Sequence, residues 1–390
     1  MQSEQEYQQK MIELLQNQIN SGQITLFDEL SIQSLTFFDC VQLNKLKLDS
    51  CYNVVPELNN DTIQELQITY CNIQSILGLH LRNLKVLNLC CNKLKCIENI
   101  SYFQELQEID LSYNESLMIS GIQHLTKLEK LNLCDCNLVN ISELENLVNL
   151  KYVDLSFNDI DDVSPIQNLV KLKYLDLDYN NVQFLHTFSR LVNLDSLSLA
   201  QCKITDFKFD YVKLCINLKT LNIKYNDKFR LEDLQYYVQL TSLGLSCCRI
   251  YEISALRPLV NLEELNLSFN KILCITPLKN LLKLNKLKVQ NNLISDFTAV
   301  SQNKNFGSFE IQEQSQPLQE QIRLSYLMQT IDSSTTLLRS IRKYHVNHKI
   351  IKCRHHVILK QFQKQLHKQN YTFLADVTSF FSLNNTEVLQ

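Results

Sequence analysis

The sequence predicts a solenoid of the α/β class, in which one short strand and one convex segment alternate along the chain. Three observations support this fold: a nine-residue pattern, L-x-x-L-x-L-x-x-(N or C), recurs twelve times; most copies begin 22 residues apart; and the 45% apolar content is spread evenly. A weaker thirteenth copy contains Phe306, Phe309 and Ile311. The first residues (position one) of the clear copies are Leu43, Ile63, Leu84, Leu106, Leu128, Leu150, Leu172, Leu194, Leu218, Leu240, Leu262 and Leu284.

Each copy contains two short elements. Alternating leucines, as in Leu172, Leu175 and Leu177, predict a strand with one buried face. Apolar residues then return every third position, at Val182, Leu185, Phe188 and Leu191, which favours a 3₁₀ or short helical return. Neither element can bury its apolar side without a neighbouring coil, so the coils must stack.

Position nine holds only Asn or Cys, and we expect a structural ladder there. Asn can satisfy loop backbone groups with both its donor and its acceptor, and Cys offers a weaker S–H donor. These positions form a line rather than a convergent cluster, which disfavours metal binding, and the thiols are expected to be reduced. The ladder is expected to include Asn92, Asn114, Cys136, Asn158, Asn180, Cys202, Asn226, Cys248, Asn270 and Asn292.

The repeats resemble the 22-residue class of intracellular leucine-rich repeat, which is found in a regulatory subunit of protein phosphatase type 1. The similarity covers residues 43–311. The resemblance implies a right-handed horseshoe with a concave parallel sheet. It also implies a role in protein–protein binding, with regulation of a phosphatase as a finer version, but it does not identify a partner.

The ends depart from the repeat and define three expected regions: 1–42, 43–314 and 315–390. Residues 4–20 have helical spacing before Gly22, and 24–40 are expected to add an irregular capping strand. After Gln314, we expect a helix that starts at Ser315 and a long helix from Ser333 to about Asn370.

Positions three, five, seven and eight should face or border the concave side. Adjacent strands lie about 4.8 Å apart, so Asp154 and Asp176 should repel each other by up to ~1 kcal/mol, which a basic partner would relieve. The alternative is that these acids only keep the sheet soluble. The candidate partner-binding residues are Asp110, Tyr113, Tyr152, Asp154, Tyr174, Asp176, Asp178 and Tyr179.

The C-terminal region is basic, with eleven Lys and Arg against six Asp and Glu in 303–390, although the whole chain has a net charge of −3. This region could bind nucleic acid or an anionic membrane, dock on the acidic concave face, or form the solvated face of a capping helix. The candidate basic residues are Arg339, Arg342, Lys343, Lys349, Lys352 and Arg354.

No catalytic or cofactor motif is recognised, and five glycines leave little material for phosphate-binding loops. We therefore expect a non-enzymatic scaffold with a protein partner and without metal, cofactor or small-molecule substrate. No stretch approaches the ~20 apolar residues of a membrane span, and the start lacks a secretory apolar run. The expected location is cytoplasmic, with the nucleus also open.

Overall fold

The computed structural model describes residues 15–27, 35–52, 54–182, 185–204, 215, 217–227, 231–301, 303 and 308–310. These residues all belong to a compact unit, Met1–Gln329. The predicted helical segment 315–390 and most of the predicted helix 4–20 lie outside the described residues.

The sheet follows the order of the chain. Fourteen of the described strands form one parallel sheet, in which each strand pairs with the strand of the next coil. This arrangement confirms the predicted solenoid. The strands are β1 Gln23–Leu26, β2 Lys45–Asp49, β3 Leu58–Asn59, β4 Glu65–Thr69, β5 Leu79–His80, β6 Val86–Asn88, β7 Glu108–Asp110, β8 Lys130–Asn132, β9 Tyr152–Asp154, β10 Tyr174–Asp176, β11 Ser196–Ser198, β12 Thr220–Asn222, β13 Ser242–Gly244, β14 Glu264–Asn266, β15 Lys286–Lys288 and β16 Ser308–Glu310.

The return segments are 3₁₀ helices in most coils, as their spacing of three predicts. In the early coils β3 and β5 take this place and form a separate two-stranded parallel sheet. A short α-helix, Thr298–Ser301, returns from β15. The described 3₁₀ helices are Thr36–Cys40, Ile100–Tyr102, Ile122–His124, Ser142–Leu144, Ser164–Asn168, His186–Arg190, Leu231–Tyr236, Ser254–Leu256 and Thr276–Asn280.

The core lies between the sheet and the return segments. Leu172, Leu175 and Leu177 of one coil are fully buried, as is Phe188 on its return segment. The 24-residue step after Leu194 leaves the sheet unchanged, because Ser196 still pairs in register with Thr220. The extra residues are therefore accommodated outside the strands.

The N-terminal end only partly matches its prediction. Residues 15–20 are helical, with Leu15 buried, and Gly22 adopts the left-handed conformation (φ +71°) that ends such a helix. A strand was expected within 24–40, but β1 occupies only its start and Thr36–Cys40 is a 3₁₀ helix. β1 pairs in parallel with β2 and so covers the edge of the first coil.

Asn158 illustrates the ladder at position nine. Its Nδ2 donates to the carbonyls of Leu133 and Leu155, at 2.9 Å each, and so connects two coils. Its Oδ1 accepts the backbone N–H groups of Cys136 (3.1 Å) and Leu138 (2.9 Å). One buried amide thereby satisfies four backbone groups that no strand partner reaches.

Cysteines also donate to a carbonyl of the preceding coil, but they lack the amide oxygen that accepts N–H groups. The Sγ of Cys136 donates to the carbonyl of Leu111 (3.2 Å), and that of Cys202 to the carbonyl of Leu177 (3.0 Å). Burial raises the pKa of both thiols to about 12, so they stay protonated and can donate. Four of the ladder cysteines are followed by a residue with positive φ, namely Asn72, Asn137, Lys203 and Arg249.

We expect Asn158→Ala to destabilise the protein more than Asn180→Ala. Both side chains donate to three carbonyls, but Asn180 Oδ1 accepts only the N–H of Ile160 among the described residues, whereas Asn158 accepts two. An additional orphaned buried N–H should cost about 1–3 kcal/mol. Urea unfolding followed by circular dichroism measures the difference, and equal losses in the two variants would contradict this account of the ladder.

Candidate functional site

The structure brings four of the predicted residues together. Tyr152 and Asp154 on β9 pair in register with Tyr174 and Asp176 on β10. We call these four residues, all half-buried, the central patch. Asp110 lies two strands away on β7, with Asn132 of β8 in between.

The two tyrosines of the central patch stack on each other. Their ring centroids lie 4.2 Å apart and their planes differ by 3°. The hydroxyl of Tyr174 donates to Asp176 Oδ2 at 3.1 Å, so the ring lies along its own strand. Burial and the nearby carboxylate of Asp176 raise the pKa of Tyr174, which therefore stays neutral.

The aspartates at position five close the turn that ends each strand. Asp154 Oδ1 accepts the backbone N–H of Ser156 at 3.0 Å, and Asp176 Oδ1 accepts that of Asp178 at 2.9 Å. Asparagines perform this task in other coils, where Asn88, Asn132 and Asn266 accept the corresponding N–H. The turn needs an Asx oxygen but no charge.

Several charges elsewhere on the concave face are paired across strands. Opposite charges in register form ion pairs, such as Glu108 with Lys130 (2.7 Å) and Glu264 with Lys286 (3.3 Å). Asp154 and Asp176 instead face each other, and within the described part of the chain no lysine or arginine pairs with either. The central patch is thus an uncompensated negative charge.

This arrangement changes the acidity of Asp176. Burial, followed by the negative charges of Asp178 and Asp154, raises the pKa of Asp176 to about 6. The ionised form at neutral pH is therefore less stable in the folded protein than in water. A cation bound nearby would remove this penalty.

Asp178 acts mainly as a structural link between coils. The next coil has Ser198 at position five, which lacks the Asx oxygen, and Asp178 Oδ1 accepts both the Ser198 hydroxyl and the Ala200 N–H (2.6 Å) instead. Its Oδ2 accepts from Asn222 Nδ2 at 3.1 Å. Each oxygen thus already accepts a bond within the protein, and the role of Asp178 in partner binding stays a prediction.

Tyr113 and Tyr179 lie on the loop edge rather than on the sheet. Every position-eight residue from Ser50 to Asn291 has positive φ; Tyr113 and Tyr179 both have φ +57°. Phe157 also occupies position eight and is not among the predicted site residues, yet its ring stacks on Tyr179 with centroids 4.3 Å apart. About half of the Phe157 side chain is exposed.

The left-handed conformation costs a non-glycine residue about 1 kcal/mol, and Asn adopts it more easily than an aromatic residue. The backbone therefore does not explain the aromatic side chains at this edge. The two coils of the central patch thus carry two stacked aromatic pairs with carboxylates between them.

Sequence reasoning also missed a groove beside the central patch. It has a volume of about 420 Å³ and extends from Tyr174 and Asp176 to Lys286 and Lys288. Small residues at positions three and five of three consecutive coils leave this space open. The signal was visible in the sequence as Ser196, Ser198, Thr220, Ser242 and Gly244.

Other predicted features remain without a structural description. The basic residues Arg339, Arg342, Lys343, Lys349, Lys352 and Arg354 lie outside the described residues. Within the described ranges, no three His, Cys, Asp or Glu side chains are grouped in a way that could hold a metal ion. In the same ranges no helix has the length and apolar character needed to cross a membrane.

Comparisons with known proteins agree with this fold. Residues 149–204 match the leucine-rich-repeat family model. No curated protein sequence matches the chain. Among solved structures, an internalin (InlF) from Listeria monocytogenes is similar at 22% identity and a TM-score of 0.65, over 77% of this chain and 89% of that one.

Two further structures show the same architecture. A leucine-rich-repeat protein from Leptospira interrogans is 23% identical, with a TM-score of 0.54 over 81% of this chain and 97% of that one. The functional domain of InlJ from Listeria monocytogenes, described as including a cysteine ladder, is 19% identical, with a TM-score of 0.52 over 76% of this chain and 59% of that one. At these identities the similarity concerns the fold.

We expect Asp176→Asn to stabilise the protein by roughly 1–2 kcal/mol at neutral pH, because the amide keeps the turn acceptor and removes a disfavoured charge. The folded-state pKa of Asp176, about 6, lies above its unfolded value. The wild type therefore gains stability relative to the variant as the pH falls through 6, and the difference shrinks toward about pH 4. Urea unfolding across this range measures the effect.

The control is Asp161→Asn, which removes an exposed charge outside the concave face. It should change the free energy of unfolding by less than ~0.5 kcal/mol. A loss of stability in Asp176→Asn at neutral pH would contradict the interpretation of the central patch.

Proposed function

We propose that this chain, whose described residues have the leucine-rich-repeat fold, is a non-enzymatic scaffold or regulator whose concave face captures a protein partner through the central patch. Proteins of this fold generally bind other proteins rather than catalyse reactions. The binding surface of this chain must be identified from its own side chains.

The unpaired charge of Asp154 and Asp176 carries the proposal. Asparagine closes the same turn at Asn88, Asn132 and Asn266 without a charge. The sequence nevertheless has two carboxylates in register, at a cost in stability that follows from the raised pKa of Asp176. Binding sites commonly retain such locally unfavourable groups, because a partner compensates them on association.

The chemistry of the patch favours a basic partner surface. Carboxylates would attract cationic side chains and steer their approach, and flat aromatic rings supply contact area with little loss of side-chain entropy. The stacked pair Phe157 and Tyr179 extends this surface over the loop edge. The partner surface is therefore expected to combine positive charge with apolar contacts.

Regulation of protein phosphatase type 1 is a finer version of this proposal. Its support is the resemblance of the 22-residue repeats to those of a phosphatase regulatory subunit. Titration of the full chain with the purified catalytic subunit tests it directly. Absence of binding would reject this partner and leave the proposed surface to other proteins.

We also infer a reducing, intracellular location, cytoplasmic in the simplest case. The described cysteines are free thiols, and the buried ladder thiols act as hydrogen-bond donors to backbone carbonyls. A disulfide has no S–H group and could not make these bonds. Reducing compartments preserve thiols in this form.

We expect the double variant Asp154→Asn/Asp176→Asn to weaken partner binding at least tenfold. Partners are first captured with the full chain from the native cell and identified by mass spectrometry, and binding is then measured with purified components. The substitutions keep the turns and remove two charges, so a loss of affinity reports on electrostatics.

Asp159→Asn/Asp161→Asn is the matched control. It removes the same charge from exposed positions beyond the ladder and should leave the affinity nearly unchanged. Equal affinities of the central-patch variant and the wild type would contradict the proposed function. The basic residues 339–354 would then be the next surface to test, by salt titration with RNA, DNA and anionic vesicles.

A further inference from the structure

One ring face of the tyrosine pair is open. The rings stack at 4.2 Å, close to the strand spacing of about 4.8 Å, so their planes face the neighbouring strands. Next to Tyr152, in register on β8, is Lys130, whose long side chain pairs with Glu108. Next to Tyr174, in register on β11, is Ser196. Because serine is short, the outer face of Tyr174 borders the groove.

The groove continues across the next coils. On β13, a Cβ at Gly244 would approach Asn222 Oδ1 to 2.8 Å and Lys224 Cε to 3.0 Å, so a larger residue would force these side chains to shift. Glycine therefore lets the side chains of Asn222 and Lys224 lie low over the sheet. The space above the small residues remains available to a ligand.

The two ends of the groove carry opposite charges. Asp176 lies at the β10 end, while Lys286 and Lys288 line the β15 end, where Glu264 partly neutralises Lys286. Five strand spacings separate β10 from β15, about 24 Å, which is the length of about seven extended residues. The groove thus suits an extended segment with one basic and one acidic end.

The Tyr174 end favours arginine over lysine. A planar guanidinium can stack on an aromatic face and donate to a neighbouring carboxylate at the same time, whereas a compact ammonium is more strongly hydrated. Tyr174 and Asp176 provide both partners on one strand, since the tyrosine hydroxyl already contacts the carboxylate. The walls formed by Ser196 and Ser198 leave space for the side chain.

We propose that the groove binds an extended partner segment, with an arginine stacked on Tyr174 beside Asp176 and an acidic side chain near Lys286 and Lys288. This inference rests on the proposed function and names the chemistry of the captured segment. According to this inference, the bound segment extends from the central patch along the groove toward β15. On the opposite side of the tyrosine pair, Lys130 is in register with Tyr152 and forms an ion pair with Glu108.

The test uses the full chain and fluorescently labelled peptides in anisotropy titrations. The probe is acetyl-Arg-Ser-Gly-Ser-Gly-Ser-Asp-amide, compared with peptides in which citrulline replaces arginine or Asn replaces Asp. Citrulline keeps the planar group and removes the charge. We expect the arginine peptide to bind about tenfold more tightly than the citrulline peptide, and the Asn peptide to bind about threefold more weakly.

Three variants separate the ring face from the fold. Ser196→Phe fills the space over Tyr174, and Tyr174→Leu removes the ring; both should reduce the preference for arginine to about onefold. Tyr174→Phe keeps the ring face and should retain most of the preference. Circular dichroism melts verify that each variant is folded. If Ser196→Phe and Tyr174→Leu lose stability, Tyr174→Phe still tests whether the ring face alone supports the preference for arginine.

A pH series reports on the carboxylate. Asp154 on β9, Asp178 after β10, Lys224 after β12 and the two tyrosines surround Asp176, and its pKa is raised to about 6 in the free protein. The preference for arginine should fall between about pH 7.5 and pH 5 as Asp176 becomes protonated. In Asp176→Asn this dependence should disappear.

Several outcomes would overturn the inference. Equal binding of the arginine and citrulline peptides, or no binding of the arginine peptide below about 5 mM, excludes the arginine site. Loss of partner capture in Asp154→Asn/Asp176→Asn with unchanged capture in Ser196→Phe would leave the proposed function intact and reject the groove. Unchanged capture in the Asp154→Asn/Asp176→Asn variant would reject the proposed function itself.

Discussion

The hydrogen bonds of position nine hold successive coils in one register, and the rest of the structure depends on them. Each strand is only a few residues long, so its own ladder bonds end before the chain turns away from the sheet. Asn158 and its equivalents bind carbonyls of two coils and accept N–H groups from the preceding coil. At Cys136 and Cys248, where cysteine replaces asparagine, the backbone N–H binds the asparagine oxygen of the next coil.

Because the register is fixed, residues at the same repeat position in successive coils are neighbours in space. Because the offset between coils is constant, Tyr152 meets Tyr174 and Asp154 meets Asp176 although 22 residues separate them. The turn at the end of each strand accepts either Asp or Asn at position five, so the charge of this column can vary without change in the backbone. The sheet is thus a rigid support on which charge and ring positions change independently of the fold.

The repeat period made the strands, the 3₁₀ returns and the neighbours of the central patch predictable, because period and burial are coupled in a solenoid. Side-chain interactions outside position nine were not predictable in this way. Asp178 looked like another surface acid, and only the geometry shows that it replaces the acceptor that Ser198 lacks. Position eight holds Tyr or Phe in several coils, and its left-handed backbone has no sequence signal when these residues occupy it. The groove depends on small residues such as Ser196, which do not stand out in a repeat pattern that is defined by large apolar residues.

The two sides of the central patch differ, and this difference determines the side from which a ligand can approach. A pair of stacked rings has two outer faces, and a ligand can use only a face that no neighbour occupies. On the β8 side Lys130 supplies a long side chain, and its ammonium group pairs with Glu108 on β7. On the β11 side Ser196 is short and uncharged, and Asp178, held by Ser198 and Asn222, adds a second carboxylate near Asp176. A cation that arrives from the β11 side would therefore recover the free energy that the protein loses by keeping Asp176 ionised.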